Sequence, residues 1–154
     1  LIHYERNVKL TAIDISPQML SIAALRSKKS KCEVSLLNVD ASCMEGLKNN
    51  HYNWLISTFL CCVMPNELQV LAVEQFVRVL KVGGRFKIIE MVYSKDKKIR
   101  TFQQRISPLV EFIYGARFDR KTLEILNAHP QIDVTSTRFL KEDTYLLIEG
   151  HKIS

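Results

Sequence analysis

Apolar and polar positions along this chain fall into blocks that read as strand, then helix, then strand again. The stretch VKLTAIDISPQML (8–20) sets the pattern. Val8, Leu10, Ala12 and Ile13 have the apolar density of a strand buried on both faces, and the strand ends on a single carboxylate, Asp14. Ser16 supplies a cap and Pro17 the first turn of a helix that continues to Ser27. A second strand, 33–39, again runs into an aspartate, Asp40, and ASCMEGLKNNHY after it reads as a short helical or irregular link. A third, strongly apolar strand spans 54–63 and is closed by Pro65. Asn66 then caps a helix whose apolar face is Leu68, Leu71, Ala72, Phe76, Val79 and Leu80. Gly83 and Gly84 are expected to stop that helix through a left-handed cap. A fourth strand covers 85–92, followed by a basic segment, an apolar one and a helix over 119–128. Two last strands, 132–140 and 144–152, flank the Lys141-Glu142-Asp143 turn as an antiparallel hairpin.

This order predicts an α/β fold with a largely parallel sheet and a terminal hairpin. In open sheets of this kind, ligands bind beyond the carboxyl ends of the strands, which is where Asp14 and Asp40 fall. At 154 residues the length suits one domain, and 47% hydrophobic with 25% charged residues is ordinary for a globular chain. A net charge of +6 favours anionic surroundings without by itself meaning nucleic acid. The most apolar run, WLISTFLCCVMP, is too short to cross a bilayer. None of the four cysteines forms a CxxC pair. Cys61 and Cys62 are adjacent in a strand-like run and point to opposite faces, while Cys32 and Cys43 stand apart. Buried free thiols in a reducing, cytoplasmic compartment fit this better than zinc. His3, His51, His129 and His151 are scattered and match no metal spacing.

The stretches VKLTAIDISPQML, LLNVDA, YNWLISTFLCCVMP and VLKVGGRFKIIE resemble the successive motifs of class I S-adenosylmethionine-dependent methyltransferases. The resemblance covers nearly the whole chain, including the closing hairpin, and rests on the order of four motifs that are each weak alone. It implies a Rossmann-like methyltransferase sheet and S-adenosylmethionine as cofactor. Carried over residue by residue, Asp14 matches the acid that takes both ribose hydroxyls, a task suited to a carboxylate because it accepts two hydrogen bonds and donates none. Ile15 and Met19 match positions along the ribose and adenine, Asp40 the acid that pairs with the adenine amino group, and Ala41 the backbone N–H that reaches the ring. Ser57 and Thr58 match the opening of the third strand beside the methionine part. An aspartate after a strand is also a common helix cap or turn former, and that reading stands beside the functional one.

The family's glycine-rich turn should precede Val8, yet the five glycines, Gly46, Gly83, Gly84, Gly115 and Gly150, all lie after it. The chain starts at Leu1, and LIHYER reads as the tail of a helix. The expectation is therefore a partial domain, lacking the first strand and the glycine-rich loop. In the family that strand lies between those ending near Asp14 and near Val63. Its loss would strip backbone partners at about 1–3 kcal/mol per unsatisfied group, against a net stability of about 5–15 kcal/mol. A chain of these 154 residues alone would have to rearrange its sheet, recruit a partner's strand in an oligomer or expose an edge.

The choice of methyl acceptor falls to 93–118. Glu90 ends the fourth strand facing the acceptor side, where it touches substrate or is a solvated rim charge. Tyr93 is the second candidate substrate residue, and His51 and Tyr93 read as residues near the crevice or as surface residues. Lys95, Lys97, Lys98, Arg100 and Arg105 alternate with apolar residues through Ile113. This amphipathic run suits either an anionic membrane surface, a cover for a lipidic acceptor, or a charged face over ordinary core. The arrangement resembles ubiquinone/menaquinone-biosynthesis C-methyltransferases and phospholipid N-methyltransferases, which implies a small, apolar or lipid-like acceptor such as a quinone. The rival from another class is a catalytically inactive, methyltransferase-like binding or scaffold domain. An RNA methyltransferase ranks last, because the NPPY or DPPY type of tetrapeptide is replaced by STFL and no nucleic-acid partner is expected.

Overall fold

The structure, a computed structural model, describes residues 4–140 and 143–154. The described residues fall into two compact units that meet in sequence between Leu47 and Lys48. The first unit is a βαβ element: β1 (Lys9–Asp14), α1 (Pro17–Ser27) and β2 (Glu33–Asn38). The two strands pair in parallel, from Lys9 opposite Glu33 to Asp14 opposite Asn38. The capping expectation holds: Ser16 Oγ accepts from the Met19 N–H at 3.3 Å, and Pro17 begins the helix. Burial of β1 on both faces does not hold. None of its residues is fully buried, because it is paired along one edge only among the described residues. Of the helix tail expected over LIHYER, Leu1, Ile2 and His3 lie outside the described residues. Tyr4–Asn7 form a bend and turn, tied by the Val8 N–H to the Glu5 carbonyl at 3.2 Å.

The second unit contains β3 (Tyr52–Thr58), a 3-10 turn (Cys61–Val63), α2 (Asn66–Val79), β4 (Leu80–Met91), α3 (Lys97–Tyr114), α4 (Thr122–Ala128), β5 (Ile132–Leu140) and β6 (Tyr145–Lys152). Its sheet runs β3-β4-β6-β5. Strands β3 and β4 are parallel, and β6 lies antiparallel to both β4 and β5. The fold is thus the expected Rossmann-like α/β type, with a parallel strand pair in each unit and a closing antiparallel hairpin. Its strands form two sheets instead of the single expected one. In the hairpin turn, Lys141 and Glu142 lie outside the described residues, and Asp143 has a left-handed φ of 56°.

Three elements differ from expectation for physical reasons. The third strand ends at Thr58, and Cys61 and Cys62 sit in the 3-10 turn, so they do not alternate across a strand; both are buried nonetheless. Asn66 is the first helical residue, and its predecessor Pro65 occupies the cap without a side-chain bond. Helix α2 stops at Val79 and not at the glycines. Its last carbonyls already have partners: Arg78 O accepts from Asn50 N at 2.9 Å and Val79 O from His51 N at 2.8 Å. The buried Lys152 ammonium donates to Val77 O at 2.9 Å, Leu80 O at 3.1 Å and Asn50 Oδ1 at 2.7 Å. A cation at a helix C-terminus is also favoured by the helix dipole. Gly83, with φ 75°, belongs instead to an excursion within β4, where pairing passes from Tyr52–Leu80 directly to Trp54–Arg85. The inner face of α2 is Ala72, Val73, Phe76, Val77 and Val79, with Leu68 and Leu71 exposed.

The core of the second unit joins these α2 residues to Leu80, Phe86, Ile88, Leu126, Leu147 and Ile148. Gly150, between Phe86 and Val134 in the sheet, has no room for a side chain: an added Cβ would strike the Asp133 carbonyl and come within 2.5 Å of Phe86 Cζ. Gly150→Ala is therefore expected to lower unfolding stability by about 2–3 kcal/mol, read from the urea midpoint at unchanged slope.

Candidate functional site

In the first unit, parallel pairing delivers two carboxylates to one end of the sheet. Asp14 closes β1 opposite Asn38, and Asp40 follows two residues beyond it. Each forms a local turn with one oxygen: Asp14 Oδ1 accepts from Ser16 N at 2.8 Å, and Asp40 Oδ1 from Ser42 N at 2.8 Å. The second oxygen of each has no hydrogen bond among the described residues. Asn38 ties the two strand ends together, its Nδ2 donating to Asp14 O at 2.9 Å and Ile15 O at 3.0 Å. Ile15 and Met19 are exposed, at 69% and 52%, and Ala41 is buried. A cleft of about 220 Å³ opens between β1 and α1, lined by Ala12, Ile13, Asp14, Met19, Ile22 and Arg26 among others. Free acceptor oxygens beside exposed apolar side chains fit the hydroxyls and flat ring of a nucleoside. The cleft alone is smaller than the roughly 300–1,000 Å³ typical of ligand pockets. Asp40 and Ala41 do not line it.

In the second unit, Ser57 and Thr58 are the last residues of β3. Thr58 is exposed, whereas Ser57 is buried and its Oγ has no hydrogen-bond partner among the described residues. A buried hydroxyl without a partner costs about 1–3 kcal/mol, and it is the kind of group a bound ligand can satisfy. Two residues beyond Ser57, Phe59 takes a left-handed φ of 56°, a strained value for an aromatic residue. Its N–H reaches Ile89 O at 2.8 Å, and its ring meets Tyr145 at 5.2 Å between centroids. Tyr93 is half-buried, its ring 5.4 Å from Phe118 and 5.4 Å from the Arg100 guanidinium carbon.

Glu90 is neither at a solvated rim nor open to the surface. It is 2% exposed, and its carboxylate accepts from Cys61 N at 3.0 Å and from Cys62 N at 2.7 Å. Burial pushes its pKa up, while the two backbone N–H groups pull in the opposite direction. The same burial, aided by the nearby Glu90 charge, raises the Cys61 thiol and pushes the Cys62 thiol up to about 12. Both thiols therefore stay protonated and unreactive. A further buried chain of polar groups supports the turn: Gln69 Nε2 donates to Met64 O at 3.0 Å, and Thr122 Oγ1 to Gln69 Oε1 at 3.0 Å. A signal for Glu90 is present in the sequence, since RFKIIEM places it on the same strand face as Phe86 and Ile88. The strain at Phe59 and the orphan hydroxyl of Ser57 leave no such trace.

Two outcomes follow from this geometry. Glu90 has a pKa raised by folding, so its neutral form favours the native state. Stability is expected to fall as pH rises from about the ordinary carboxylate value of 4.5 through the raised one. Glu90→Gln should flatten that slope in chemical denaturation at several pH values, at the cost of one N–H acceptor. Ser57→Ala, which removes the orphan hydroxyl, is expected to raise unfolding stability by about 1 kcal/mol in the same assay.

The family described as "Methyltransferase domain" matches residues 1–84, more than half of the chain. No curated protein matches it. Among solved structures, a protein from Bordetella parapertussis is similar at 16% identity and a TM-score of 0.74, covering 96% of this chain; the chain spans 54% of that structure's length. An S-adenosylmethionine-dependent methyltransferase from Methanosarcina mazei is similar at 16% identity and a TM-score of 0.70, over 94% of this chain and 82% of its own. The N-methyltransferase NodS from Bradyrhizobium japonicum, in complex with S-adenosyl-L-homocysteine, is similar at 14% identity and a TM-score of 0.66, over 95% and 67%. At these identities the likeness shows the fold, and the family match, with both strand-end carboxylates inside it, shows the kinship: the chain belongs to the methyltransferase domain family.

Proposed function

We propose that the protein transfers a methyl group from S-adenosylmethionine to a small, apolar or lipid-like acceptor. The observation that supports this most is the delivery of Asp14 and Asp40 to one end of paired parallel strands, within the residues the family matches. Asp14 takes the two ribose hydroxyls and Asp40 the adenine amino group, with the Ala41 N–H on the ring and Ile15 and Met19 along its apolar faces. Ser57 and Thr58 are assigned to the methionine part by motif order, and the unpartnered Ser57 hydroxyl suits a polar ligand atom. The bound cofactor supplies a methyl on a sulfonium whose leaving group is already good. The residues then have to align the acceptor and keep water away, with no obligatory general base. Glu90 serves this task indirectly, by holding the 61–62 turn at the end of the sheet, and Tyr93 stands at the entrance to the acceptor-choosing segment. The class of NodS, crystallised with the demethylated cofactor, supports the same cofactor here. Within the family, the segment after β4 favours the quinone-biosynthesis C-methyltransferases and phospholipid N-methyltransferases as the nearest kinds of activity.

One observation favours a second reading, a methyltransferase-like binding module without catalysis: the first-unit cleft of about 220 Å³ is small for the whole cofactor. Titration calorimetry with S-adenosylhomocysteine separates the two, since absence of heat favours the module. Asp14→Ala is expected to weaken that binding by about 10–100-fold, the worth of charge-assisted hydrogen bonds, with the thermal midpoint little changed. Equal loss of affinity and stability would instead make Asp14 a turn-forming residue.

A further inference from the structure

Helix α3 carries an unpartnered stripe on its outer side. Its inner side is fixed: buried Gln103 accepts from Ser94 N at 2.8 Å and donates to Val92 O at 3.2 Å, and Ile99, Ile106 and Val110 are half-buried around it. Asp96 caps the start, accepting from Lys98 N and Ile99 N, and Gly115 ends the helix in a left-handed cap. Yet large apolar side chains also face outward. Phe102 is 61% exposed, Leu109 59%, Phe112 88% and Ile113 56%. Lys98, Phe102, Arg105, Leu109 and Phe112 follow one another at alternating steps of four and three, so they share one face with Ile113 beside them. An apolar patch of this kind on a helix already packed on its other side marks an interaction surface.

The charges on the stripe identify what covers it. Lys98 and Arg105 interleave with the apolar residues, and neither forms an ion pair among the described residues. The nearby acids are occupied: Asp96 caps the helix, and Glu111 pairs with Arg117 at 3.4 Å. A second copy of the stripe would oppose cation to cation with no free carboxylate between them. An anionic surface with an apolar layer beneath it satisfies both halves of the pattern. The long Lys and Arg stems can lie along the apolar residues while their charges reach headgroups. With Lys97, Lys98, Arg100, Arg105 and Glu111 in its length, the helix is suited to lie on a bilayer, and no described helix is long and apolar enough to cross one.

We propose that α3 docks the protein on anionic lipid bilayers through Lys98, Phe102, Arg105, Leu109, Phe112 and Ile113. The docking is separate from methyl transfer and is measured without cofactor or acceptor, so either can fail alone. In a flotation assay the protein is expected to rise with vesicles of phosphatidylcholine mixed with phosphatidylglycerol, and to stay behind with phosphatidylcholine alone or at high salt. Replacing Lys98 and Arg105 together by Gln should weaken binding about 25-fold, near fivefold for each charge removed. Phe112→Ser should weaken it by about tenfold or more, with the circular dichroism spectrum and thermal midpoint unchanged. Absence of flotation with the mixed vesicles would overturn the proposal, as would flotation that these variants leave intact. A dimer in gel filtration that Phe112→Ser disperses, without vesicle binding, would assign the stripe to a second copy instead.

Discussion

The second unit depends on a carboxylate buried where strands end. Glu90, next to last in β4, grips two consecutive backbone N–H groups of the turn that follows β3. Parallel strands bring their carboxyl ends together, but nothing in a sheet ladder fixes the loops beyond them. The two bonds from Glu90 supply that restraint, and the Gln69–Thr122 pair extends it to α2 and α4. A buried charge is costly unless its hydrogen bonds are complete, so the turn cannot move away without leaving Glu90 exposed to its full desolvation penalty. The hydrogen bonds that hold this end of the sheet pull the Glu90 pKa down, and the burial around them more than offsets that pull.

The first unit solves a related problem with less burial. Its carboxylates are kept at the strand ends by short turns that use one oxygen each, the other having no hydrogen bond among the described residues. Asn38 binds the two strand ends through its amide, so the spacing of the carboxylates follows from the parallel register and not from packing. That arrangement needs little core, consistent with a helix, α1, in which no residue is fully buried.

What was legible in the sequence was local or periodic. The Ser16 cap, the Pro17 start, the limits of α1 and β5 and the antiparallel hairpin all derive from signals within a few residues. So did the two aspartates at strand ends. What was not legible depends on partners distant in the chain. The glycines at 83–84 look like a helix stop, but the carbonyls they would have satisfied are taken by Asn50, His51 and Lys152, so the helix yields to a strand earlier. WLISTFLCCVMP looks like one strand because its apolar run is unbroken; the chain turns inside it at Phe59, where backbone strain is held by the neighbouring strand. Residue type alone could not separate a core cysteine in a strand from one in a turn.

Lys152 has an implication for biogenesis. It caps α2 across 75 residues of sequence, and β6, which carries it, lies between β4 and β5 in the sheet. On the ribosome, α2 and β4 emerge long before this strand, so the Val77 and Leu80 carbonyls must wait for the Lys152 ammonium and β4 must keep an open flank until the hairpin threads in. A chain terminated just upstream of β6 would leave β4 with an exposed strand edge, a ready substrate for chaperones and for aggregation.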